Sequence, residues 1–225
     1  MSAHAHRLLI FDLDGTLIDS KQDLVDSVNA TLTARGREPL HDATVASYVG
    51  NGAPMLVKRA LEVSGVAASD GEVQDALEFF LKYYREHMLD ATTLYPGVRE
   101  ALDRLHLAKV PMAVLTNKPV KFSVSLVAGL GLSRHFFQVY GGNSFEEKKP
   151  HPMGIEKLLA ESKANPVGTI MVGDSAVDVL TARAAGVQAC GVSWGFQPET
   201  FAQAQPDFII DDMRALAELV LDGAT

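Results

Sequence analysis

Leu8-Leu9-Ile10-Phe11-Asp12-Leu13-Asp14-Gly15-Thr16-Leu17 is the stretch on which the fold turns. Its opening is almost continuously apolar rather than alternating, as expected of a strand buried on both faces of a parallel sheet. Residues 8–13 are read as that strand, and runs of the same character recur at 112–116, 138–140, 169–172 and 188–193, with a sixth at 208–210. Helical patterns lie between them. Val98, Leu102 and Leu105 share one face, as do Ile155, Leu158 and Leu159. Pro96-Gly97 precedes one helix, Gly186 follows another, and Gly129 and Gly131 close the segment 120–130. Strands alternating with helices predict the α/β class, as a doubly wound parallel sheet with a Rossmann-like core.

One interval breaks that rhythm. The first strand ends near residue 13 and the second begins near 112, whereas a crossover helix and its loops need only a dozen or so residues beyond the helix itself. The surplus is itself helical. Leu24, Val28 and Leu32 recur every four residues, as do Ala53, Val57 and Leu61, and then Leu77, Leu81 and Tyr84 follow. These faces need a core of their own. The reading is a catalytic core of residues 1–18 and 92–225 with a helical cap, 19–91, inserted between hinges at 19–21 and 92–96.

Composition narrows the function classes. The 225 residues are 47% hydrophobic and 21% charged, which is ordinary for a globular protein. No apolar run approaches the roughly 18 residues that span a bilayer, so no membrane partner is expected. The run before Asp12 is too short for a signal-peptide core. Cys190 stands alone and cannot form an internal disulfide, and a cytoplasmic location is the expectation. Cys190 itself reads as a small core residue, and His4 and His6 as terminal residues without a metal role. With 20 Lys+Arg against 28 Asp+Glu the net charge is -8. Basic residues are scattered, which argues against a nucleic-acid partner. Any phosphate the protein handles must be met by a few placed cations or a metal ion.

Side chains alternate along a strand, so Asp12 and Asp14 lie on one side, at the strand end where open parallel sheets bind ligands. At 4 Å and an effective dielectric near 20, two such carboxylates repel by about 4 kcal/mol, unless one is protonated or a cation intervenes. An EF-hand loop also begins Asp-x-Asp but requires glycine at position six and glutamate at twelve. Here Gly15 stands at position four, Asp23 at twelve, and a strand precedes. More polar residues fall at later strand ends. Thr116-Asn117-Lys118-Pro119 offers a hydroxyl and amides at a helix start, a natural anion site. Lys148-Lys149-Pro150-His151-Pro152 presents an ammonium group, and Gly173-Asp174-Ser175-Ala176-Val177-Asp178 adds two carboxylates.

Taken together, Asp12-Leu13-Asp14-Gly15-Thr16, then Thr116, Lys149 and the Asp174/Asp178 segment resemble the haloacid dehalogenase-like superfamily of phosphotransferases, over nearly the whole chain. The inserted segment has the position and helical character of that superfamily's type 1 cap. Gly50-Asn51-Gly52-Ala53, Leu94-Tyr95-Pro96-Gly97, Gly141-Gly142 and Gly191-Val192-Ser193-Trp194-Gly195-Phe196 are similar to the phosphoglycolate phosphatase branch, although 143–147 lacks an aspartate expected there. The resemblance implies a phosphatase for a small phosphomonoester, 2-phosphoglycolate. Asp12 would be the nucleophile, forming an aspartyl-phosphate, and Asp14 the acid and base. Mg2+ would be held by the Asp12 carboxylate, the Asp14 backbone carbonyl and Asp174. Thr116, the Asn117 amide and Lys149 would grip the phosphoryl oxygens. Asp178 would buttress Lys149 or a metal-bound water. Asn51, Lys118 and Arg59 are the candidates for contact with a substrate carboxylate.

Other readings share part of this pattern. A phosphosugar mutase, or a phosphatase for another small phosphate or pyrophosphate, would use the same core residues. A response-regulator receiver also combines a doubly wound sheet with Asp, Thr and Lys. Its phosphoacceptor, however, follows the third strand, and it has no helical insertion. Trp194, in a loop after the fifth strand, reads equally as pocket lining or core packing.

Overall fold

The computed structural model describes residues 7–222. It divides into two compact units, Asp19–Thr93 forming one and the residues on either side of it the other. The chain passes between them twice, through Ile18–Asp19 and Thr93–Leu94, which pair as a two-stranded sheet.

The larger unit is built on six parallel strands: β1 (Leu8–Phe11), β2 (Met112–Leu115), β3 (Gln138–Tyr140), β4 (Thr169–Gly173), β5 (Gln188–Val192) and β6 (Phe208–Ile210). Their spatial order is β3-β2-β1-β4-β5-β6. In register, Phe11 is flanked by Val114 on one side and Val172 on the other. The order therefore reverses at β1, and the crevice beyond the ends of β1, β2 and β4 is the topological switch point where such sheets take ligands.

Alternation along the strands builds two apolar layers. Leu8, Ile10, Ala113, Leu115, Met171 and Ala189 face one core, closed by Ile155 and Leu158 of α7 (Met153–Ser162) and Val179 and Ala182 of α8 (Ala176–Ala184). Leu9, Phe11, Met112 and Val114 point the other way and are as deeply buried, with Phe11 meeting Phe136 edge to face at 6.1 Å. Right-handed crossovers place α5 (Val98–Leu107) and α6 (Val120–Gly129) on that second side, and α5 packs on α9 (Met213–Asp222).

β1 stops at Phe11 rather than residue 13, for a local reason. Asp12 N still pairs with Val172 O at 2.9 Å, but Leu13 N is taken by Asp12 Oδ1 at 2.7 Å and leaves the ladder. Leu13 O then accepts from Leu17 N and Ile18 N, and the chain turns sharply through Gly15 at φ 81°. A side chain at Gly15 would be strained there and would also collide with Asp174 Oδ2.

The helical unit comprises α1 (Lys21–Thr33), α2 (Asp42–Ala46), α3 (Ala53–Leu61) and α4 (Asp70–His87). Leu24, Val28 and Leu32 of α1 are buried, as are Val57 and Leu61 of α3. On α4 the buried face is Ala76, Phe80 and Tyr84, not Leu77, Leu81 and Tyr84. One residue of offset turns a helix by about 100°, which puts the stacked Phe80 and Tyr84 rings inward, 5.7 Å apart. Asp23 is buried within this unit and accepts from Ala91 N, Thr92 N and Thr92 Oγ1 at 2.9, 2.9 and 2.6 Å. No helix among the described residues is long and apolar enough to cross a membrane. His4 and His6 lie outside the described residues.

Cys190 is buried in β5, and burial pushes its thiol up to about 12. Only about one thiol in ten thousand is then ionised at pH 8, against roughly a quarter for a free cysteine. Ellman's reagent is expected to label native protein at least about a thousandfold more slowly than protein unfolded in urea. Comparable rates would show that the strand opens readily.

Candidate active site

Five segments deliver charged groups to the switch-point crevice. The turn after β1 carries Asp12 and Asp14, and the loop after β2 carries Thr116, Asn117 and Lys118. The loop ahead of α7 supplies Lys149, the end of β4 supplies Asp174, and the first turn of α8 supplies Asp178. The loop after β5 approaches with its backbone, at Phe196 and Gln197.

Lys149 is the hub. Its ammonium lies 3.0 Å from Asp12 Oδ1 and 2.6 Å from Asp178 Oδ1, and all three side chains are largely shut off from solvent. Asn117 Nδ2 donates to the Lys149 carbonyl at 3.0 Å and so fixes the segment that carries it. Asp178 is held from its other side. Its Oδ2 accepts from Ser175 Oγ at 2.8 Å and Ser175 N at 3.2 Å, a capping box at the start of α8. A second pair sits beside the first: Lys118 Nζ donates to both oxygens of Asp14, at 3.1 and 2.9 Å. Thr116 Oγ1 accepts from Lys118 N at 3.3 Å.

These contacts bear on two expectations. Asp12 and Asp14 do not face each other uncompensated, because each has its own lysine. Lys118, expected as a partner for a substrate carboxylate, is paired with Asp14 in this structure, as a buried ammonium needs an anion beside it. Asn51 lies in the helical unit, where its Oδ1 accepts from Arg59 Nη2 at 3.2 Å. Arg59 Nη1 also donates to Tyr48 O at 3.4 Å.

The carboxylates that converge are Asp12, Asp174 and Asp178, each offering an oxygen within 4.8 Å of the others. With Asp14 they make four carboxylates against two ammonium groups, so the ionised cluster carries two uncompensated negative charges. The strain falls mainly on Asp174. Burial, then the charges of Asp178 and Asp12, push its carboxyl well above the usual range. Burial raises Asp12 as well, opposed chiefly by the Lys149 charge. For Lys149, burial favours the neutral amine, but Asp12 and Asp178 reverse this and hold the ammonium above its ordinary range. A hard divalent cation on these oxygens would cancel the surplus charge, and the all-oxygen donor set suits one. The residues fit such an ion.

Lys118 on Asp14 and the amides on Asp174 are the functional contacts that the sequence did not disclose. The first joins residues 104 positions apart, and the second comes from main-chain groups that no residue type marks. Asp178 did leave a signal, four residues after Asp174 at a helix start.

The chain's likeness to known proteins agrees with this geometry. The family model for haloacid dehalogenase-like hydrolases matches residues 9–192. A phosphoglycolate phosphatase of Pseudomonas fluorescens is 41% identical over 222 residues, covering 97% of this chain and 81% of that one. Another, from Vibrio vulnificus, is 37% identical over 228 residues and covers both chains completely. A crystal structure of a predicted phosphoglycolate phosphatase from Haemophilus somnus superposes with a TM-score of 0.90 at 32% identity, covering 96% of this chain and 98% of that one. With the motif residues gathered at one switch point of a parallel sheet and relatives alike from end to end, the chain belongs to the haloacid dehalogenase-like hydrolases.

Proposed function

We propose that this phosphatase hydrolyses 2-phosphoglycolate to glycolate and phosphate, with Mg2+, through an aspartyl-phosphate on Asp12. The observation that carries the reaction is the setting of Asp12. Its Oδ1 is anchored by Leu13 N and Lys149 Nζ, while Oδ2 accepts no hydrogen bond among the described residues. A carboxylate oriented through one oxygen and open at the other is arranged to form a bond.

Asp12 attacks phosphorus, the bond to the leaving oxygen breaks, and Asp14 gives that oxygen its proton. Water then attacks the aspartyl-phosphate, Asp14 takes the proton, and phosphate leaves with Asp12 restored. Asp14 must leave Lys118 or share its contact to reach the leaving group. Thr116 Oγ1, the Asn117 amide and Lys149 stabilise the phosphoryl oxygens as charge spreads over them. The Asp12 and Asp174 carboxylates and the Asp14 carbonyl would hold Mg2+, which when bound offsets negative charge on the phosphoryl group. The substrate follows from the likeness to phosphoglycolate phosphatases in Pseudomonas fluorescens and Vibrio vulnificus. Asn51, Lys118 and Arg59 remain, on sequence grounds, the candidates for its carboxylate.

The test is phosphate release from 2-phosphoglycolate, a hexose phosphate, ethyl phosphate and pyrophosphate, with Mg2+ and after verified metal removal. The highest kcat/KM is expected for 2-phosphoglycolate, because a site built to pair a carboxylate rejects uncharged analogues. A tenfold preference for any other compound overturns the substrate, and undiminished release without metal overturns the role of Mg2+.

A further inference from the structure

The loop after β5 takes no part in the chemistry above, and Trp194 and Phe196 carry no group that phosphoryl transfer uses. Its backbone is nevertheless directed at the site. Phe196 N and Gln197 N donate to Asp174 Oδ2 at 2.7 and 3.3 Å. Oδ1 of the same carboxylate accepts no hydrogen bond among the described residues, although Asp174 is only 4% exposed. Gly195 lies flat against Asp174, and a Cβ there would overlap Asp174's own Cβ and come within 2.6 Å of Oδ2. The loop is also tied to the turn after β1. Trp194 Nε1 donates to Thr16 O at 3.3 Å, the indole sits 6.1 Å from the Tyr95 ring, and Tyr95 N donates to Leu17 O at 3.2 Å.

We propose that residues 194–197 are a positioning element for the cation site. The two amides occupy Oδ2 of Asp174, so that Oδ1 is the oxygen presented to a hard divalent cation, and the Trp194 tether keeps those amides in register with the turn that bears Asp12 and Asp14. This rests on the reading of Asp174 as a cation ligand. The physical case is one of geometry. A small divalent ion demands near-octahedral angles and tolerates little freedom in its carboxylates. A carboxylate with one oxygen held by two fixed donors cannot rotate to chelate through both. Gly195 is what allows the backbone close enough to supply those donors. Outer partners of this kind are worth about tenfold to a hundredfold in metal affinity.

The test measures Mn2+ binding directly, by the electron paramagnetic resonance of the free ion, on the full-length chain without substrate. Gly195→Ala is expected to weaken binding at least about tenfold. Trp194→Phe, which keeps an aromatic side chain but removes the N–H-bearing half of the indole, is expected to weaken it about threefold, the worth of one long hydrogen bond. In both variants the metal concentration for half-maximal phosphate release rises, and kcat recovers at saturating metal. A structural role alone would lower kcat and leave Mn2+ affinity unchanged, and that result overturns the proposal. If Gly195→Ala does not fold, Trp194→Phe decides alone, and wild-type affinity in it is fatal. Asp174→Asn separates the two claims. If it abolishes Mn2+ binding while the loop variants bind normally, only the positioning role fails. If it binds Mn2+ as wild type does, the reading of Asp174 as a ligand fails and the positioning role with it.

Discussion

Asp12→Asn is expected to lower kcat for phosphate release by at least about a thousandfold, a loss of roughly 4 kcal/mol of transition-state stabilisation, while the unfolding temperature stays level or rises. The two halves of that result have one origin. The amide is nearly isosteric with the carboxylate but cannot attack phosphorus. The carboxylate it replaces is buried, and burial raises its pKa despite the neighbouring lysine, so keeping it ionised costs the folded state free energy. Removing the charge leaves Lys149 paired with Asp178 at 2.6 Å. Stability and activity therefore move apart, as they do where a fold holds a reactive group under electrostatic strain. Steady-state rates and a thermal melt of the same preparation check both halves. A variant that keeps more than a tenth of the wild-type rate excludes Asp12 as the nucleophile. One that loses both rate and fold would instead make Asp12 a structural residue.

How far the sequence disclosed this arrangement depends on the range of each interaction. The strands β1, β2, β4 and β5 were legible because burial on both faces leaves a run of apolar residues that no surface segment needs. The separate helical unit was legible as an interval too long for one crossover. The exact end of β1 was not, because Leu13 N is captured by the side chain of Asp12, a competition that hydrophobicity does not register. Nor was the inward face of α4, since Leu77 and Leu81 are as apolar as Ala76 and Phe80, and only packing selects between neighbouring stripes. In the site, residue types pointed to phosphoryl chemistry, but the pairing of two lysines among four carboxylates is a tertiary fact. Lys118 could reach a substrate or Asp14, and nothing within a few residues of either decides the matter. The donors to Asp174 are main-chain amides, equally available in any sequence, and only Gly195 hints that the backbone must come close.

Lys149→Met is expected to be the most damaging single change to stability in the site, at about 3–5 kcal/mol, the range for breaking a buried ion pair by removing one partner. Methionine fills much of the space but leaves Asp12 and Asp178 without the cation that both face. Asp174, already pushed up by burial and by those two charges, loses a further compensating group. The loss is readable at neutral pH. Because the native pKa of Lys149 is raised above the ordinary 10.5, its stabilising contribution is complete below that value and fades only as pH climbs through the raised one. Turnover is also expected to fall by at least about a thousandfold, since the role proposed for this ammonium group, stabilising the transferring phosphoryl oxygens, is one a thioether cannot fill. A second substitution separates the two effects. Adding Asp178→Asn to Lys149→Met removes one of the stranded carboxylates, so urea denaturation should recover a substantial part of the lost stability, while the rate should remain at the level of the single variant. Recovery of stability and rate together would mean that Lys149 serves the reaction only by neutralising Asp178. Recovery of neither would mean that the charge cluster is not what the lysine holds in place. Recovery of stability alone would give Lys149 two separable tasks, neutralising buried carboxylates in the resting fold and carrying phosphoryl charge during the reaction.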